Sequence, residues 1–395
     1  MKKHHPLYAT FAGFCLIGIG LCLCRYAYTP LIPSMVDERW VTKPGAGYLG
    51  GFNCFGYLLG CLAALFLPRF FGVRFLLRLS LVLAVLGQAM CAWDLGFGWL
   101  ALGRFVTGLA GASMVIHAPA LVLQHVPARW TKVVSGFVFA GAGGMIVIVC
   151  LLLPDFLEIS VSAGWLFEAG LTLVAGLIAW PMTASAVSVE DQRNKVMPSL
   201  NLRIKIGLAL LGGAYFLASI SVTPHMLFLT NYLHEEFGTS VAVSSQLFSL
   251  VGVGSLVGAF TSGLFARLLG TPRTLWMNYL IGALSVLMVL LTTSVEVITV
   301  SALTIGFFLM CCVPLTSIRV GEISGSLRHS RDWGVLTLLF GTGLAVGSYG
   351  MSGLLSLGLD YYHLFIIAQG SSALSLLFVL VLGWIRFPTI DETVD

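Results

Sequence analysis

Apolar runs of 18 or more residues follow one another along nearly the whole chain. They fall near residues 8–35, 46–67, 75–93, 97–125, 134–153, 162–182, 206–232, 241–266, 274–293, 296–319, 333–356 and 361–385. A hydrocarbon core of roughly 30 Å takes about 20 apolar residues as one helix. Each run therefore predicts a membrane-spanning helix, about twelve in all. The longest polar stretch covers residues 185–205. It divides the chain into an N-terminal six-helix bundle (1–184), a linker (185–205) and a C-terminal six-helix bundle (206–395). The predicted fold class is all-α and integral to the membrane.

Composition agrees: 58% of residues are hydrophobic and 10% charged, against about 25% charged in soluble domains. Charge placement then sets the topology. With the N-terminus inside, 17 of the 21 basic residues fall in segments on the same side, Arg69, Arg74 and Arg78 among them. Arg39 and Lys43 fall opposite, and Arg25 and Arg104 lie within spans. The opposite loops are mainly acidic, with Asp37, Glu38, Glu235, Glu236 and Asp360. Positive-inside bias of this kind predicts an even helix count with both termini cytoplasmic. No small-residue cleavage site follows the basic start at Lys2 and Lys3, so the first run reads as a retained helix. All nine cysteines sit in apolar runs. Cys22 and Cys24 have no companion at ligand spacing, so neither a disulfide framework nor a metal is expected.

The halves look related. Thr29-Pro30 in the first run is matched by Thr223-Pro224 in the seventh, 194 positions on. Arg69 and Gly72 are matched by Arg267 and Gly270, 198 positions on. Repeated halves that rock about a midplane site are a mark of secondary transporters. Pro30, Pro33, Pro224 and Pro314 are expected helix breaks, tolerated where protein or a water-filled cavity satisfies the freed carbonyls.

These residues resemble the major facilitator superfamily. LALGRFVTGLAGA carries Leu100, Arg104 and Gly108 at the spacing of the fourth-helix motif of proton-linked members, with Thr107 where Gln is usual. PRFFGVR, residues 68–74, is similar to the loop after the second helix, with Pro68 in place of its Asp. Gly143-Gly144 matches the glycine pair of the exporter-associated motif, without the preceding Pro. RYAYTPLIPSM followed by GYLGGFNCFGYLLGCL resembles the YbfB/YjiJ-type branch. The resemblance implies a twelve-helix inner-membrane transporter and names no ligand.

Arg25 is the candidate of most interest. It lies roughly 26 Å from the start of its run and 15 Å from the end, and a lone arginine at such depth costs from about 2.5 to over 10 kcal/mol. It must face a partner or a cavity. One reading is a permanent ion pair with Glu168 of the sixth span. The other is a guanidinium that binds an anionic substrate bidentately. Tyr28, one helical turn on, and Asn53 and Tyr57 of the second span are expected to complete the substrate pocket. Arg104 reads either as a second anion contact, proton-transfer or gating group, or as a structural donor to broken backbone near Pro30 or Pro33. His117, Glu168 and His225 are the other proton-coupling or gating candidates.

The expected function is a secondary active transporter for a small organic anion, such as a carboxylate metabolite or a siderophore-like chelator. Proton coupling and alternating access are expected. An efflux pump for neutral or anionic drugs is the alternative, and a non-transporting membrane receptor or scaffold a further one. No phosphate-binding loop ending in Lys-Ser/Thr is present, which argues against ATP-driven transport. No catalytic constellation suggests an enzyme. No cofactor and no nucleic-acid partner are expected, and the protein is expected to act as a monomer in lipid.

Overall fold

A computed structural model describes residues 5–186 and 201–385. Twelve spans, with no strand among the described residues, run as α1 (Pro6–Leu23), α2 (Lys43–Phe66), α3 (Pro68–Met90), α4 (Phe97–Leu123), α5 (Val133–Leu157) and α6 (Val161–Ser185). The second six are α7 (Leu202–Phe237), α8 (Val241–Leu269), α9 (Thr271–Leu291), α10 (Val295–Ser324), α11 (Arg331–Ser356) and α12 (Tyr361–Trp384). Most of the predicted linker, residues 187–200, lies outside the described residues. The very short turns expected near residues 93–97 and 293–296 are present as Cys91–Gly96 and Thr292–Ser294 connections.

Packing within each half follows a common plan. α2 pairs with α4 and α8 with α10. A Cβ on Gly56 would collide with the Phe105 carbonyl, and one on Gly254 with the Leu303 carbonyl. Gly108 abuts the Asn53 carbonyl and Gly306 that of Val251. All of these partners are 198 positions apart, the offset of Arg69 and Arg267. Gly72 (φ 75°, ψ 151°) and Gly270 (φ 82°, ψ 147°) even share a backbone conformation open mainly to glycine. Small residues let helices approach closely in lipid, where hydrophobic contrast between helices is absent.

The contacts make a prediction. Gly56→Ala and Gly254→Ala are each expected to lose about 1–3 kcal/mol through overpacking. Gly263→Ala, with nothing near the added Cβ, is expected to be neutral. Thermal unfolding in detergent measures all three, and equal melting points would refute the packing account.

The halves meet along α2 and α11 and along α5 and α8. Gly51 faces the Tyr349 ring, and Gly143 and Gly252 face one another. The first spans of the halves are not copies. In α1 the α-helix ends at Ile17 and a π-helix covers Gly18–Leu23. Arg25 then leaves the helix (φ −135°, ψ −67°), a 3-10 segment covers Tyr26–Leu31, and a short helix Ile32–Asp37 follows. In α7 the chain stays helical and only widens into a π-helix at Pro224–Phe228.

Candidate functional site

Opening α1 frees carbonyls in the interior, where an unpaired one costs several kcal/mol. Side chains from other spans reach four carbonyls of the opened segment. Gln88 Nε2 of α3 donates to Leu23 O at 2.7 Å. Asn53 Nδ2 of α2 donates to Cys24 O at 2.7 Å. An Arg104 terminal nitrogen of α4 donates to Arg25 O at 3.2 Å. Thr230 Oγ1 of α7 donates to Thr29 O at 2.6 Å, and Thr29 Oγ1 to Met226 O at 2.5 Å. The break is thus a fixed structure, clamped from both halves.

The clamp aims Arg25 into a cavity between the halves. Arg25, Tyr26, Asn53 and Cys54 line it from one half, and Thr223, Leu344 and Ser348 from the other. The cavity holds about 30 Å³, room for one or two waters. Arg25 stands over the Tyr57 ring at 4.4 Å and the Tyr26 ring at 5.8 Å. Its polar side-chain contacts include Cys54 Sγ at 3.6 Å and the Tyr26 hydroxyl, and its Nε has no partner. No carboxylate pairs with it among the described residues. At the acidic end of the bundle, pairs bridge the halves: Lys43 with Glu235 and His234 with Asp37 (3.0 Å).

Glu168 belongs to a second cluster. It is fully buried, with no hydrogen bond to either carboxyl oxygen. The guanidinium that faces it is Arg104, not Arg25. Arg104 lies over the Tyr28 ring at 4.3 Å and the Trp165 ring at 5.9 Å, with Nε and one terminal nitrogen unpartnered. The buried thiols of Cys22, Cys24, Cys91 and Cys150 lie within electrostatic reach of the carboxylate.

Several expectations change. The Arg25–Glu168 pair is not formed; the break turns Arg25 toward the cavity and leaves Glu168 to Arg104. Tyr28 is not beside Arg25, because helical spacing fails across the break. It donates to Ala46 O at 3.0 Å and stacks under Arg104. Arg104 donates to broken backbone at Arg25 rather than at Pro30 or Pro33, and it also lines the cavity beside Arg25. Asn53 spends its amide nitrogen on Cys24 O, Arg104 O and Thr107 Oγ1. His117 bonds its own helix at Ser113 O, 2.8 Å. His225 bonds Ser301 Oγ at 2.7 Å, inside the second half and off the cavity. Pro314 does not break α10, which runs through it; Pro33 sits in the first turn of its short helix, where proline is tolerated. Gln88, Cys54, Trp165 and Thr230 were not singled out from sequence. Gln88 had a signal: an amide deep in an apolar run.

Comparison with known proteins places this architecture. The model of the family described as "Uncharacterised MFS-type transporter YbfB" matches residues 16–380. "Putative transporter AraJ" of Escherichia coli (strain K12) is 24% identical over 362 residues, 87% of each chain. "Tetracycline resistance protein, class B" of Escherichia coli is 27% identical over 282 residues, 67% of each chain. "Efflux pump aunC" of Aspergillus niger is 26% identical over 245 residues, 60% of this chain and 45% of its own. With twelve membrane spans in hand and the match covering nearly all of them, the chain belongs to the YbfB-type family of major facilitator transporters.

Proposed function

We propose that the transporter carries a small organic anion, a carboxylate-bearing metabolite or a siderophore-like chelator, by alternating access with proton coupling. The observation that supports this most is Arg25. It is a buried cation without a carboxylate partner, in a cavity that both halves line. A guanidinium binds a carboxylate in a bidentate, charge-assisted way, and such an anion would supply the charge that the protein withholds. Tyr57, under the guanidinium, and Cys54 and Ser348 on the cavity wall complete the pocket. Small as it is here, the cavity would enlarge when the halves rock and the pairs at the acidic end of the bundle part. Glu168 with Arg104 would carry the proton, with His225 and His117 as the remaining titratable groups of the interior. The two bundles, 1–184 and 206–395, would be the rocking bodies, in the inner membrane with both termini cytoplasmic.

The names of two relatives, a resistance protein and an efflux pump, favour a second reading, in which the same pocket exports a neutral or anionic drug or metabolite. Proteoliposomes test both. Movement of a panel of organic anions is followed in each direction, with and without a pH gradient. Anion flux that rises with the gradient supports the first reading. Flux of neutral compounds only would overturn it.

A further inference from the structure

A groove on the lipid-facing side of the first half lies outside the site described above. It runs between α3 and α6, has a volume of about 330 Å³, and is lined by Leu81, Val82, Leu86, Leu173, Leu177 and Trp180. Leu177 is 62% exposed and Leu86 52%, so the groove opens outward. Gly176 lets it run deep: a Cβ there would reach Leu81 at 3.6 Å.

The groove ends at charge. Arg78 precedes Leu81 and Val82 by about one turn. Its Nε donates to Thr183 Oγ1 at 3.0 Å, and its guanidinium stands 4.9 Å from the Trp180 ring. That uses one of its five N–H donors. No carboxylate pairs with it among the described residues. Arg74, a turn earlier on α3, is exposed. Trp180 beside these arginines is the residue expected at headgroup level, and this is the end of the bundle where the basic residues gather.

We propose that the groove is a binding site for an anionic phospholipid. One acyl chain lies along α3 and α6, roughly 12 Å from Arg78 to Leu86, and the phosphate meets Arg78 and Arg74. Each feature covers a different part of the ligand. The apolar wall takes the chain, the fixed guanidinium takes the phosphate, and the second arginine selects net negative charge. Basic pockets between spans at the cytoplasmic surface suit such headgroups. Arg78 is held in place by Thr183, so little side-chain freedom is lost on binding.

The test uses the full-length protein, purified in detergent and stripped of lipid. Phosphatidylglycerol, phosphatidylcholine and inorganic phosphate are added separately. Native mass spectrometry counts bound lipid, and thermal unfolding reports the shift. The expected result is retention of phosphatidylglycerol over phosphatidylcholine, with no shift from phosphate alone. Arg78→Gln and Arg74→Gln are each expected to weaken phosphatidylglycerol about fivefold. Gly176→Phe, which fills the groove and leaves both arginines, is expected to remove binding. Thr183 keeps its bond to Trp180 O (2.7 Å) in Arg78→Gln, and Arg78→Lys serves if that variant does not fold. Equal binding of the two lipids, undiminished binding in Gly176→Phe, or an equal shift from phosphate overturns the proposal.

Discussion

On the proposed anion-transport reading, Arg25→Ala is expected to abolish recognition of the anion and to leave the protein folded. The two outcomes separate because the side chain and the main chain of Arg25 have different tasks. The clamp on the broken helix grips its carbonyl, which alanine keeps. The guanidinium meets the Cys54 sulfur and the Tyr26 and Tyr57 side chains and has no carboxylate partner among the described residues. Its removal takes an unneutralised charge out of a buried place, so stability should be unchanged or higher. Binding is another matter. Truncating one side of a buried, hydrogen-bonded charge pair costs about 2–5 kcal/mol, at least about thirtyfold in affinity. Arg25→Lys keeps the charge and loses the planar fork, so it should fall between parent and alanine. Thermal shift with each anion of the panel, set beside uptake, measures this. An Arg25→Ala protein that folds and still binds the anion with parental affinity removes the anion site from consideration.

Much of this architecture is legible in the chain because lipid enforces it. A span needs its twenty apolar residues, and the basic side is written in loop charges. Both survive in any local window, so the twelve spans can be read directly. The offset of 198 between Arg69 and Arg267 proves to be that of the glycine contacts as well. The site is less legible, for a physical reason. Helical spacing places Tyr28 beside Arg25 only if the helix continues, and it stops at Leu23. The prolines draw attention to Thr29-Pro30, whereas the ladder fails upstream, through Gly18–Leu23. Pro314 shows the converse, a proline absorbed in a continuous helix. Once α1 opens, the residues that matter are those that meet its carbonyls. Gln88, Asn53, Arg104 and Thr230 come from four different spans, and no local pattern joins them.

The same geometry decides which arginine answers to Glu168. Arg104→Leu should be the most damaging single change in the first half. It removes the cation that acts on the buried Glu168, whose carboxyl oxygens have no hydrogen bond, a coupling loss of about 0.5–3 kcal/mol. It also strips Arg25 O of its donor, a desolvation cost of about 1–3 kcal/mol. Adding Glu168→Leu removes the first cost and cannot repair the second. The double variant should therefore recover part of the lost stability and remain measurably below the parent. Residues in one charge cluster show coupling energies of about 0.5–3 kcal/mol. The Arg104–Glu168 cycle, followed by unfolding in detergent, should fall within that range, and the Arg25–Glu168 cycle near zero. The reverse order would return Glu168 to Arg25 and remove the free guanidinium on which anion binding depends. The expected order leaves Arg25 its charge for the substrate. It also links Glu168 to the proposed substrate site, since the arginine facing the carboxylate is the one that holds the carbonyl of Arg25.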